Sequence, residues 1–163
     1  PDDPVIVVNS FSKAWCMTGW RVGWITAPAR IGPEIEKLIE FNYSCPVDFV
    51  QHAAVTAIEE GEDFVAEIVE RYRQARDLVY QRLAACKRVS LVRPEAAFYA
   101  FMAVDGMTDS TEFAKRILAD HGVGLAPGEA FGPGGEGHLR LCFASAPETL
   151  SRALDRLEVA LEA

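Results

Sequence analysis

Cysteine is scarce and scattered in this sequence. Cys16, Cys45, Cys86 and Cys142 form no Cys-x-x-Cys pair, and His52, His121 and His138 stand apart from them and from one another. A disulfide framework and a structural zinc site therefore have no support, and reduced thiols are the plain expectation, with no metal ligands assigned. Positive charge is the minority sign. Lys and Arg number 16 against 24 Asp and Glu, a net charge of -8, so the chain carries no electrostatic footprint for nucleic acid or for an anionic membrane. No stretch approaches the roughly 18 consecutive apolar residues of a membrane span. The opening Pro1-Asp2-Asp3-Pro4 is neither basic nor signal-like. The expected location is the cytoplasm and the expected partners are small molecules. Internal repeats and low-complexity tracts are lacking too. Half of the 163 residues are hydrophobic, enough to build a core for one domain or one and a half.

Against that background one short run stands out. Ser10-Phe11-Ser12-Lys13 is followed, after seven residues, by Arg21-Val22-Gly23. One lysine, two hydroxyls and one guanidinium are thus placed around a single tight connection. A lysine amine can form a Schiff base with a carbonyl, an arginine fork matches a phosphate bidentately, and serine hydroxyls can donate to the remaining phosphate oxygens. The cofactor that carries both an aldehyde and a phosphate is pyridoxal 5'-phosphate.

Hydrophobic periodicity places this run between two strands. Residues 5–8 are a continuous β-branched run that reads as a buried strand of a parallel sheet, with Lys13 just beyond its end. Residues 20–26 read as a second strand opened by Arg21. Two strand ends then converge on one point, where open α/β sheets bind ligands. Pro33 suits the first turn of a helix that Ser44-Cys45-Pro46 stops, and a second helix is expected over 47–60. Beyond Gly61, Phe64, Ile68, Tyr72, Ala75, Leu78, Val79 and Leu83 recur at three and four, too far for an ordinary surface helix. Short strands at 89–92, 98–104 and 139–143 alternate with helices over 111–120 and from Pro147 onward, an α+β layer. Ser110 or a neighbour caps the first of these and Gly122 ends it.

Residues 9–24 resemble the lysine signature of class I and II aminotransferases, which are fold type I pyridoxal phosphate enzymes. The family pattern is Ser-x-Ser-Lys, a short apolar stretch, then Thr-Gly-Trp-Arg-x-Gly, and it fits here without a gap. Pro94-Glu95-Ala96-Ala97-Phe98-Tyr99 is similar to the family's Pro-x-Gly-Ala-Phe-Tyr entry to a strand, with Ala96 where glycine is usual. Leu139-Arg140-Leu141 resembles its strand bearing a carboxylate-binding arginine. The resemblance implies an α/β chain in three parts. Residues 1–60 are the end of the large cofactor-binding domain with its mainly parallel sheet, 61–87 a long linking helix, and 88–163 a small α+β C-terminal domain. It also implies a C-terminal portion of an aminotransferase, because the family's lysine lies past the middle of its chain and other cofactor contacts precede it.

By the same resemblance Lys13 is catalytic and holds the cofactor, with Ser10, Ser12 and Arg21 on its phosphate and Arg140 on the substrate α-carboxylate. Ser10 is the better phosphate donor of the two serines, since Ser12 reads equally as a turn cap. Thr18, Gly19 and Gly23 read as serving backbone geometry. Arg140 is a lone arginine on an apolar strand and needs an anion, either the substrate or a structural acid. The implied reaction moves an amino group between an amino acid and a 2-oxo acid in a homodimer. The rival expectations are a lyase or synthase on the same scaffold and a non-catalytic aminotransferase-like regulatory module. The Gly-x-Gly-x-x-Gly at Gly132 to Gly137 precedes a strand rather than a helix, so it fails as a dinucleotide motif and reads as a mobile loop bordering the substrate pocket.

Overall fold

The computed structural model describes residues 3–162 and divides into two units, residues 1–69 and 70–163. In the first unit β1 (Val7–Ser10) pairs antiparallel with β2 (Gly23–Thr26), in the register Val7↔Thr26 to Ser10↔Gly23. The sequence led to the expectation of a buried strand of a mainly parallel sheet over residues 5–8, and here that strand pairs antiparallel with β2 and is exposed. The connection between β1 and β2 contains only a 3-10 turn, Thr18–Trp20, whereas a parallel return needs a crossover of about a dozen or more residues, usually a helix. Val5, Ile6, Val7 and Val8 are all exposed, Val8 at 73 %.

Three helices follow. α1 (Gly32–Tyr43) has Pro33 in its first turn and ends where the Ser44 N–H donates to the carbonyls of Ile39 and Glu40. α2 (Asp48–Glu60) buries Val50 and Ala54. Gly61 then separates it from α3 (Glu62–Leu83), as the sequence leads one to expect. A Cβ on Gly61 would stand 2.3 Å from the Ala57 carbonyl and 2.9 Å from the Trp15 indole, so only glycine fits this corner. The helix α3 begins in the first unit and ends in the second.

The second unit contains a four-stranded, wholly antiparallel sheet in the order β3-β4-β6-β5, formed by Val89–Leu91, Tyr99–Val104, His138–Cys142 and Ala126–Pro127. The two-residue β5 is too short for any periodicity to reveal. One face of this sheet is covered. Ala100, Met102 and Val104 of β4 and Leu139 and Leu141 of β6 join a single cluster with residues of three helices. Those are Val79 and Leu83 of α3, Phe113 and Ile117 of α4 (Ser110–His121), and Leu150, Leu154, Leu157 and Leu161 of α5 (Pro147–Glu162). Alternation along the strands leaves Tyr99, Phe101, His138 and Arg140 on the opposite face.

The cap of α4 is Asp109, whose Oδ1 accepts from the Glu112 N–H at 2.8 Å, and Gly122 ends the helix in the left-handed region at φ 67°. Arg82 fastens α3 to α5 through Glu158 at 2.6 Å and Asp155 at 2.8 Å, which raises its pKa further above the ordinary arginine value. No helix among the described residues is long and apolar enough to cross a membrane.

Candidate active site

Lys13 lies in the turn that leaves β1, with its side chain exposed. Its carbonyl accepts from the Cys16 N–H at 3.3 Å, and the loop is pinned to the next arm by Phe11 N–H to Val22 carbonyl at 3.2 Å. Phe11, 3 % exposed, anchors the loop by packing on Trp15 and Trp24 with ring centroids 4.9 and 5.1 Å away. Phe11 and Met17 thus point inward with Ala54 while Lys13 between them points out. The aromatic support was not read from the sequence, although the spacing of Phe11, Trp15 and Trp24 could have suggested it.

Ser10 and Ser12 are joined directly, the Ser12 backbone N–H donating to Ser10 Oγ at 3.1 Å. The serine whose oxygen caps the turn is therefore Ser10, not Ser12. Because that oxygen acts as acceptor, its own proton remains to be donated elsewhere. Arg21 stands at the other arm of the loop, where one Nη donates to the Thr18 carbonyl at 3.1 Å and the rest of the fork faces outward from an exposed residue. It also lines a cleft of about 700 Å³ with Trp20, Tyr43 and Phe49. Ser10, Ser12, Lys13 and Arg21 therefore share one strand-loop-strand unit.

That loop is conformationally costly. Cys16 at φ 54° and Arg21 at φ 53° both occupy the left-handed region, which costs a residue with a Cβ about 1–3 kcal/mol and clusters at functional sites. Gly23 has the backbone role expected of it, since a Cβ there would stand 2.3 Å from the Asn9 carbonyl. At Gly19 a Cβ would meet no protein atom within 4 Å.

Arg140 belongs to the second unit, half-buried on the uncovered face of β6. Its guanidinium carbon lies 4.3 Å from the Tyr99 ring centroid and 4.1 Å from that of Phe131. Among the described residues no carboxylate forms an ion pair with it, so the structural acid that the sequence left open is not found there.

The glycine-rich segment before β6 is firmly tied. Glu136 accepts from the Ser110 N–H at 2.8 Å, from the Ser110 hydroxyl at 3.1 Å and from the Gly137 N–H at 2.9 Å. These donors, the Gly137 N–H foremost, hold its carboxyl below the usual carboxylate range. Gly128 and Gly135 pack so closely that a Cβ on either would stand about 2 Å from the other's carbonyl oxygen. This contradicts the expectation of a mobile loop, because the sequence gives no sign that Ser110, buried at the start of α4, reaches Glu136.

The sequence profile of the family described as Aminotransferase class I and II matches residues 1–157. Among curated relatives, the probable N-acetyl-LL-diaminopimelate aminotransferase of Bacillus subtilis is 42 % identical over 159 residues, covering 96 % of this chain and 40 % of that protein. An aspartate aminotransferase of Pyrococcus abyssi is 41 % identical over 163 residues, covering 96 % and 41 %. Among solved structures, an aromatic aminotransferase from Pyrococcus horikoshii matches with a TM-score of 0.90 at 39 % identity, covering 96 % of this chain and 42 % of that one. The α/β fold is therefore shared, and the chain spans about two fifths of the length of the curated relatives it matches.

Proposed function

The chain belongs to the class I and II aminotransferase family, and we propose that it supplies the lysine-bearing and carboxylate-binding part of a pyridoxal phosphate-dependent aminotransferase. The reaction moves an amino group between an amino acid and a 2-oxo acid. The observation that carries this reading is the placement of Ser10, Lys13 and Arg21 on one loop between paired strands, with Gly23 letting the backbones close against each other.

The donors present fit the cofactor. Ser10 keeps a proton to donate while its oxygen is engaged by Ser12, and Arg21 commits only one nitrogen to the Thr18 carbonyl, so both can hold phosphate oxygens. Bound pyridoxal phosphate would supply an aldehyde carbon for the amino group and an electron-withdrawing ring that stabilises charge at the substrate Cα. Lys13 Nζ would be the amine that holds the cofactor aldehyde and, when free, the base that takes the proton from the substrate Cα and holds it for return. Arg140 holds the α-carboxylate of donor and acceptor alike, which suits a site that both must occupy in turn.

We read residues 1–60 as the end of the cofactor domain, 61–87 as the linking helix and 88–163 as the small domain. Support comes from the break at Gly61 and from the antiparallel sheet that begins after Cys86. A homodimer in the cytoplasm completes the reading, supported by the resemblance and, for the compartment, by the scatter of the four cysteines along the sequence.

The test is isotope transfer. In protein reconstituted with pyridoxal phosphate, nitrogen-15 should pass from a labelled amino acid to a 2-oxo acid, and Lys13→Ala should abolish the transfer. A Lys13→Ala protein that exchanges nitrogen at the normal rate would overturn the assignment.

A further inference from the structure

Arg140 lies over two aromatic rings contributed by separate segments. Tyr99 opens β4, and Phe131 closes the 3-10 turn Gly128–Phe131. At 4.3 and 4.1 Å from the ring centroids the guanidinium carbon is held by the ring faces, through cation–π attraction and apolar contact. The hydrogen-bonding capacity of a guanidinium lies in its own plane, at its N–H edges, and among the described residues no acid pairs with those edges. The guanidinium carbon thus lies over both rings, and its N–H groups are not taken by any acid among the described residues.

Phe131 is itself well supported. Phe101 meets it edge-on, with centroids 6.1 Å apart and planes at 86°, and Phe101 in turn stacks on His138 at 4.9 Å and 5°. The turn carrying Phe131 is locked by the contact of Gly128 with Gly135 and by the bonds from Ser110 to Glu136. The glycine-rich segment, which matches no nucleotide-binding context, thereby acquires a purpose.

We propose that Tyr99 and Phe131 are positioning residues that clamp Arg140, presenting its N–H edge ready-made to a planar carboxylate, and that the glycine-rich segment exists to place Phe131. The proposal rests on the reading of Arg140 as the carboxylate site. A guanidinium already fixed loses less side-chain freedom when the anion arrives, and the rings shield it from competing water. A lysine could not take its place, because a flexible point charge has neither a plane to clamp nor a fork to present.

The test uses the full chain, labelled with nitrogen-15, and propionate as the probe. Ring currents should displace the Arg140 Nε–H resonance in the free chain. Phe131→Leu should remove much of that displacement, and Phe131→Tyr should restore it. Phe131 is 49 % exposed, so both variants should keep the amide spectrum of the folded chain, with shifts confined to its neighbours. On titration with propionate against chloride at equal ionic strength, Phe131→Leu should weaken binding by about fivefold, with Phe131→Tyr close to the parent chain. A displacement that is undiminished in Phe131→Leu, or equal propionate affinity in parent and variant, overturns the clamp and leaves Arg140 as a carboxylate site. A parent chain whose Arg140 resonance ignores propionate overturns the carboxylate reading, and the proposal falls with it.

Discussion

The two units of this chain treat their apolar residues in opposite ways. In residues 70–163 a continuous cluster runs from Val79 and Leu83 through Met102, Leu139 and Phe143 to Leu154 and Leu157, all essentially inaccessible to solvent. In residues 1–69 the corresponding cluster is Phe11, Met17 and Ala54, while Val8, Leu38, Phe41, Phe49 and Ile58 are each more than half exposed. The first unit nevertheless holds Lys13, Ser10 and Arg21. The difference teaches that the second unit contains its own core, whereas the loop bearing Lys13 joins two strands whose apolar side chains are, among the described residues, largely exposed.

The sharpest way to break this comparison is a matched pair of leucine truncations followed by urea denaturation. Leu154→Ala in α5 removes a fully buried side chain and should cost about 3 kcal/mol. Leu38→Ala in α1, where the side chain is 69 % exposed, should stay within about 0.5 kcal/mol. Far-UV circular dichroism measures both, and equal losses would refute the contrast. The fluorescence of Trp15, Trp20 and Trp24, all in the first unit, gives that unit a signal of its own.

A smaller effect tests the second unit's backbone. Ala97 sits at φ 61°, in the left-handed region, and Ala97→Gly should stabilise by about 0.5 kcal/mol, since relief of about 1 kcal/mol of steric strain is partly offset by glycine's extra freedom when unfolded. Destabilisation by the glycine would show that the strain is not there.

The smallest effect is confined to acid. A hydrogen bond from Arg76, then one from Arg93, lowers the Asp77 carboxyl from 3.8 to about 2. A carboxyl depressed in the folded state stabilises above its unfolded value, and that contribution fades as pH falls from about 3.8 through about 2. Asp77→Asn should flatten the dependence of the urea midpoint on pH across that window. Parallel curves for the two proteins would contradict the assignment.

Much of this architecture is legible in the sequence where the signal is local. The five helices follow from apolar spacing and from Pro33, Gly61 and Gly122, because caps and breakers act within a turn or two. The run at 5–8 misleads for a physical reason. Continuous β-branched residues indicate burial on both faces, whereas among the described residues Val5 to Val8 are exposed. The Ala96 that departs from the family pattern draws attention to the right turn, yet the left-handed residue is Ala97. Around the candidate site, the hydroxyl, amine and guanidinium are visible as a motif. The supports of Arg140 are not, since Tyr99, Phe131 and the Ser110 to Glu136 anchor are joined only by the folding of β4, α4 and β6.

The central claim is that Lys13 is the residue to which pyridoxal phosphate attaches. Incubation of the chain with the cofactor, reduction with borohydride and peptide mass spectrometry would measure it, because only four lysines compete: Lys13, Lys37, Lys87 and Lys115. The account predicts a saturable pyridoxyl label concentrated on Lys13 and lost in Lys13→Ala. A label spread evenly over the four lysines would contradict it.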